Sequence, residues 1–228
     1  MQNNPPVTYN NLQKTGAEFF GTFLLLLIVI GSGIMGESLA AGNTAVALLA
    51  NAIATGTGLY VLISILGPIS GAHFNPIVTI YFRIKKEIPT RLLVSYIAVQ
   101  IFGGILGVWL SHFMFELPIL QFSTHVRSGF PQLTSEVVAT AGLLITIVLG
   151  IRHAGNQIPA LVGSYITAAY WFTSSTSFAN PAVTIARLFS NTFAGIRPED
   201  VFGFIAAQLA GLVVGILILR WLEPIKTK

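Results

Sequence analysis

The 228-residue chain is 54% hydrophobic and only 9% charged, against roughly 25% charged residues in a soluble domain, which excludes an ordinary water-soluble fold. Its net charge of +4 frames apolar stretches and forms no continuous basic face, so no nucleic-acid partner is indicated. With no cysteine in the chain, disulfides and thiolate metal sites are excluded as well.

The opening MQNNPPVTYNNLQKTGAE lacks a basic region followed at once by an apolar stretch and a small-residue cleavage site. The first apolar run therefore reads as a retained span and not as a signal peptide. Apolar runs follow at residues 19–35, 45–66, 92–115, 137–151, 158–172 and 201–222, six candidates against the roughly 20 residues needed to cross about 30 Å of hydrocarbon. Two are short alone, but residues 134–151 and 157–173 reach the length with their polar ends included. If six spans alternate, Lys14, Arg83, Lys85, Lys86, Arg91, Arg152, Arg220, Lys226 and Lys228 fall on one side, and Arg127, Arg187 and Arg197 on the other. That asymmetry predicts cytoplasmic termini; the cell's inner (plasma) membrane is the expected location.

Between the second and third runs stands GPISGAHF followed by NPIVTI, from Asn75; after the fifth stands TSSTSFA followed by NPAVTI, from Asn180. Proline after a polar amide suits the first helical turn, because it lacks an N–H that would go unsatisfied there. Only about two helical turns follow each motif, too few to span. Both segments therefore read as half-helices that enter the membrane from opposite sides, since irregular backbone at that depth must line a cavity or be buried. The motifs belong to a longer duplication. AEFFGTFLLLLIVI from Ala17 matches SEVVATAGLLITIV from Ser135, pairing Glu18 with Glu136; YIAVQIFGGILGVWL matches FIAAQLAGLVVGILI, pairing Gln100 with Gln208. Each half contains an odd number of spans, so the second enters inverted, and a site is expected between the halves at the midplane. The halves cover about residues 12–115 and 130–224 of one channel domain, residues 1–228.

This constellation resembles the major intrinsic protein family, the aquaporins and aquaglyceroporins, over essentially the whole chain. The resemblance rests on AEF at the first span, SGAHFNP, the paired NPIV and NPAV, and the six-span duplication. It implies an all-α membrane protein with six transmembrane helices and two re-entrant half-helices in an inverted-repeat, right-handed bundle. It also implies homotetramers with one pore per subunit, no enzymatic activity, and no cofactor or metal. The pore motifs would be Asn75-Pro76 and Asn180-Pro181. By motif position, pore-lining carbonyls would come from Gly71, Ala72 and His73, and from Thr176, Ser177 and Phe178. Such carbonyls opposite apolar walls replace lost hydration without binding a neutral solute tightly. Glu18 and Glu136 read as structural anchors accepting hydrogen bonds from the re-entrant backbone.

Most relatives carry a filter arginine three residues after the second NP asparagine; here that position is Val183. Counting along matched segments sets Thr55, Ala168 and Ser177 beside it, a filter with no aromatic or charged member. Arg187, one turn further on, is not expected to fill the missing role. The expectation is a wide passive channel for glycerol and polyols, urea, undissociated metalloid hydroxides such as arsenous acid, and water. A water-selective channel is one alternative. An ion-coupled secondary transporter is another, disfavoured because the spans hold no carboxylate beyond the two glutamates. An intramembrane enzyme would need a His/Glu metal pair or a nucleophile–base pair, and none is evident.

Overall fold

The computed structural model describes residues 8–223. α1 (Asn11–Leu39) starts at a reciprocal cap in which Asn10 accepts from the Gln13 N–H and Gln13 accepts from the Asn10 N–H, both at 2.9 Å, satisfying two donors that have no helical partner. α2 (Thr44–Ser70) is capped by Asn43 and ends at Gly71, φ +91°, a left-handed exit that costs glycine little. α3 (Pro76–Ile84) has 9 residues, and α4 (Thr90–Met114) has 25. α5 (Phe130–Ala154) and α6 (Ile158–Phe172) form a single apolar run of 43 residues. Unbroken, it would be about 65 Å long, twice the membrane core. The 3-10 turn Gly155–Gln157 divides it into two crossings. α7 (Pro181–Arg187) has 7 residues, and α8 (Pro198–Trp221) closes the bundle.

Six helices thus cross and two do not: at 1.5 Å per residue, α3 and α7 reach only ~14 and ~10 Å. The chain α1 to α4 is repeated by α5 to α8, with the second copy inverted. α1 packs on α2 and α4, α5 packs on α6 and α8, and α2 crosses α6 to join the halves. Glycine makes that crossing close. A Cβ at Gly56 would lie 2.7 Å from the Gly163 carbonyl oxygen, and one at Gly163 would lie 2.5 Å from that of Gly56. Lipid gives helices no hydrophobic reason to associate, so close backbone approach supplies van der Waals contact instead. The outward faces carry exposed Phe102, Phe113, Phe202 and Val213, apolar groups suited to hydrocarbon as solvent.

α3 meets α7 end to end at the centre, and each also packs on α4 and α8. The half-helices are therefore clamped by both halves of the repeat. The 116–129 connection folds back over the α7 end: Ser123 N–H donates to Leu188 O at 2.8 Å, and Arg197 N–H donates to His125 O at 2.9 Å.

Candidate functional site

The two half-helix starts face each other. Asn75 caps α3 by accepting from the Ile77 N–H at 2.9 Å, and Asn180 caps α7 by accepting from the Ala182 N–H at 3.0 Å and the Val183 N–H at 3.3 Å. Both side chains are buried. Each amide nitrogen crosses to the other copy: Asn75 Nδ2 donates to Ala179 O and Asn180 Nδ2 donates to Phe74 O, both at 2.8 Å. An amide has two N–H donors. Each asparagine therefore has its oxygen committed to its helix, one N–H committed across the pseudo-twofold, and one N–H left over.

The segments before the asparagines are strained alike. Gly71, Ala72 and Phe74 have φ of +91°, +49° and +47°; Thr176, Ser177 and Ala179 have +59°, +49° and +47°. Left-handed backbone costs a non-glycine residue roughly 1–2 kcal/mol, so five such residues need compensation. The two glutamates provide it. Glu18 accepts from Ser70 Oγ at 2.7 Å, His73 N at 2.9 Å, Phe74 N at 2.7 Å and Gln100 Nε2 at 2.8 Å. Glu136 accepts from Ser175 Oγ at 2.6 Å, Phe178 N at 2.9 Å, Ala179 N at 2.8 Å and Gln208 Nε2 at 2.7 Å. Gln100 and Gln208 also donate to Thr79 and Thr184, in the half-helices themselves. Both carboxylates are fully buried.

With their N–H groups turned inward to the carboxylates, the loops turn carbonyls the other way. Among the described residues, the carbonyls of residues 71–73 and 176–178 accept no hydrogen bond from the protein. A cavity of about 110 Å³ runs beside them, lined by Gly71, Ala72, His73, Ser177 and Phe178, by both asparagines, and by apolar walls including Leu25, Val29, Leu59, Ile147, Val162 and Ile166. Thr176 does not line the cavity; its hydroxyl is 3.4 Å from Arg127 Nη1. His73 lines the cavity and packs at once, its ring stacked on Phe82 at 4.8 Å, with Nδ1 3.2 Å from Thr79 Oγ1.

The wall at the Arg187 end differs from the sequence expectation in two places. Thr55, Ser177 and Val183 line the cavity, and the buried Ser177 Oγ has no hydrogen-bond partner among the described residues. Ala168 does not line it and is exposed on the outer surface. Tyr170 takes that wall, its hydroxyl 3.3 Å from Thr55 Oγ1. The reason is register: two residues turn a helix by about 200°, so a two-residue miscount along α6 moves a side chain from the inner face to the outer. Arg187 also lines the cavity and is 2% exposed. The wall thus holds an aromatic and a charged member, both missed because neither stands at the position the motif spacing marks. No cluster of three or more His, Cys, Asp or Glu side chains occurs among the described residues.

This geometry agrees with comparison to known proteins. Residues 7–174 match the family described as Major intrinsic protein. Aquaglyceroporin AqpS of Rhizobium meliloti (strain 1021) is 53% identical over 206 residues, covering 90% of this chain and 88% of that protein. This chain belongs to the major intrinsic protein family. Within that family, Aquaporin NIP1-1 of Oryza sativa subsp. japonica is 26% identical over 208 residues, covering 90% of this chain and 72% of the relative. The X-ray structure of the aquaglyceroporin from Plasmodium falciparum superposes with a TM-score of 0.72 at 18% identity, over 93% of this chain and 95% of that one; at that identity it attests the fold. Major intrinsic proteins are membrane channels, so the chain is a channel and not an enzyme.

Proposed function

We propose that this channel passively conducts small neutral solutes bearing hydroxyl or amide groups: glycerol and related polyols, urea, undissociated metalloid hydroxides such as arsenous acid, and water. One observation carries the reading. One cavity passes both asparagines, with free carbonyls beside it and a lining that is mostly hydrocarbon apart from a few polar side chains. A neutral solute there exchanges water for carbonyl acceptors and two amide donors, and its carbon skeleton slides along apolar walls. The 53% identity to a protein named an aquaglyceroporin supports the wider solute range. At the centre each asparagine offers a donor and no acceptor. A water there accepts through its oxygen and points its hydrogens outward, which interrupts a proton-conducting chain. The positive ends of α3 and α7 face the same place and disfavour cations.

The pore is read as one of four in a homotetramer, in the inner (plasma) membrane, with both termini cytoplasmic and the Arg187 end outward. An ion-coupled transporter fits less well. Both intramembrane glutamates have their oxygens committed to backbone and side-chain donors, and no Asp or Glu among the described residues lines the cavity. The test is osmotic light scattering on liposomes carrying the purified chain, with glycerol, urea and sucrose gradients compared. Glycerol and urea entry without saturation or dependence on a proton or sodium gradient is expected. Gradient-dependent, saturable uptake would support the transporter instead.

A further inference from the structure

The Arg187 end of the cavity holds an arrangement that the channel reading leaves unused. Arg187 is almost wholly buried, with its guanidinium carbon 3.4 Å from the Phe178 ring centroid. Its Nε donates to Ala194 O, while its two terminal nitrogens reach no protein acceptor among the described residues. A second guanidinium, that of Arg127 on the 116–129 connection, stands 4.9 Å from the same ring. It is pinned there by Gly195 O at 2.7 Å, Ser175 O at 3.1 Å and Phe193 O at 3.4 Å. Neither arginine has a carboxylate within ion-pair distance among the described residues. The nearest acids are otherwise engaged: Asp200 takes the Arg127 backbone N–H and the Arg197 side chain, and Glu136 takes the re-entrant loop. Burial makes an unpaired charge costly, so two of them kept against one aromatic ring at a pore mouth call for an explanation beyond packing.

We infer that Arg187, laid on Phe178 and backed by Arg127, is the cation barrier of this pore, standing one helical turn beyond Val183. The inference rests on the channel reading. Val183 is apolar and contributes no charge. Arg187 lies four residues further along α7 on the same face and lines the cavity. Phe178 holds the guanidinium by cation–π attraction, stronger where water is excluded. Arg127 adds a like charge that deepens the positive potential without entering the pore wall. Neutral solutes feel little of that field; monovalent cations meet it before they reach the half-helix dipoles.

The experiment uses the full chain in liposomes, with glycerol entry and sodium and proton leak measured on the same vesicles. Wild type is compared with Arg187→Gln, Arg187→Lys and Arg127→Gln. Expected are a cation leak raised about tenfold or more in both glutamine variants, the change produced by a barrier ~1.4 kcal/mol lower, a leak near wild type in Arg187→Lys, and glycerol entry retained in Arg127→Gln, whose side chain is not part of the cavity lining. If Arg187→Gln does not fold, Arg127→Gln decides, because its side chain sits on a connection outside the helices. Glutamine variants that exclude cations as well as wild type would overturn the inference, as would an Arg187→Lys leak equal to that of Arg187→Gln. Wild type that passes no neutral solute would instead remove the channel reading itself.

Discussion

Replacing Glu18 with glutamine tests what keeps the first re-entrant segment in its strained path. The native carboxylate takes two donors on each oxygen, Ser70 and His73 on one, Phe74 and Gln100 on the other. An amide keeps one oxygen and turns an NH₂ toward the other pair, so two donors lose their acceptor. Each buried donor left unsatisfied costs about 1–3 kcal/mol. One loss is partly repairable: Gln100 Oε1 has no partner among the described residues, so its amide can flip and accept from the new NH₂, at the cost of its own donation to Thr79 Oγ1. The Phe74 N–H has no such remedy, and the two surviving bonds lose charge assistance. A net cost of about 2–4 kcal/mol is expected, after the relief of no longer burying a charge. Through the usual relation for chains of this size, that lowers Tm by roughly 5–15 °C. Detergent-solubilised thermal unfolding reads the shift, and folded yield should fall with it, while flux per folded channel changes little. Native Tm and yield with abolished flux would refute the anchoring argument and point to a role for the carboxylate in conduction.

Other outcomes follow from the same geometry. Gly163→Ala should cost most of the folded yield, since its Cβ would lie 2.5 Å from the Gly56 carbonyl oxygen; normal chromatographic behaviour would show that α2 and α6 do not cross so closely. Val183→Arg should reduce glycerol and urea entry much more than water flux, and fluxes all unchanged would show that residue 183 does not border the constriction. Selectivity against cations should be flat between about pH 6 and 8: burial pulls the Arg127 pKa down to about 10, but the group loses its proton only as pH rises through that value, well above this window. A leak rising steeply across neutral pH would contradict it.

The fold was legible because its devices are local and doubled. Asn-Pro before two helical turns predicts a short capped helix from chemistry alone, and its recurrence with an odd number of spans between the copies predicts the inversion. The pairing of Glu18 with Glu136 could be read as a register between halves, whereas the donors each collects depend on loop backbone that no periodicity describes. The α6 wall was misread for a related reason. Residues 173–179 are irregular, so counting back through them carries no helical phase, and the count lands on Ala168 where Tyr170 lines the cavity. Arg127 was beyond sequence reasoning altogether. It comes from a connection with no motif, brought to Phe178 by the carbonyls of residues 175, 193 and 195 and by the Asp200 carboxylate on its backbone N–H.

The chain's lack of cysteine permits a direct test of the central claim that solute passes through this cavity beside the asparagines. Ser177, whose unpartnered hydroxyl lines the cavity, is replaced by cysteine, and so, separately, is the outward-facing Ala168. Glycerol entry into liposomes is then measured before and after treatment with a membrane-permeant thiol reagent. The account predicts near-complete block for Ser177→Cys, reversed on reduction, and no effect for Ala168→Cys or the cysteine-free parent. Undiminished flux through labelled Ser177→Cys, or block through labelled Ala168→Cys, would contradict it.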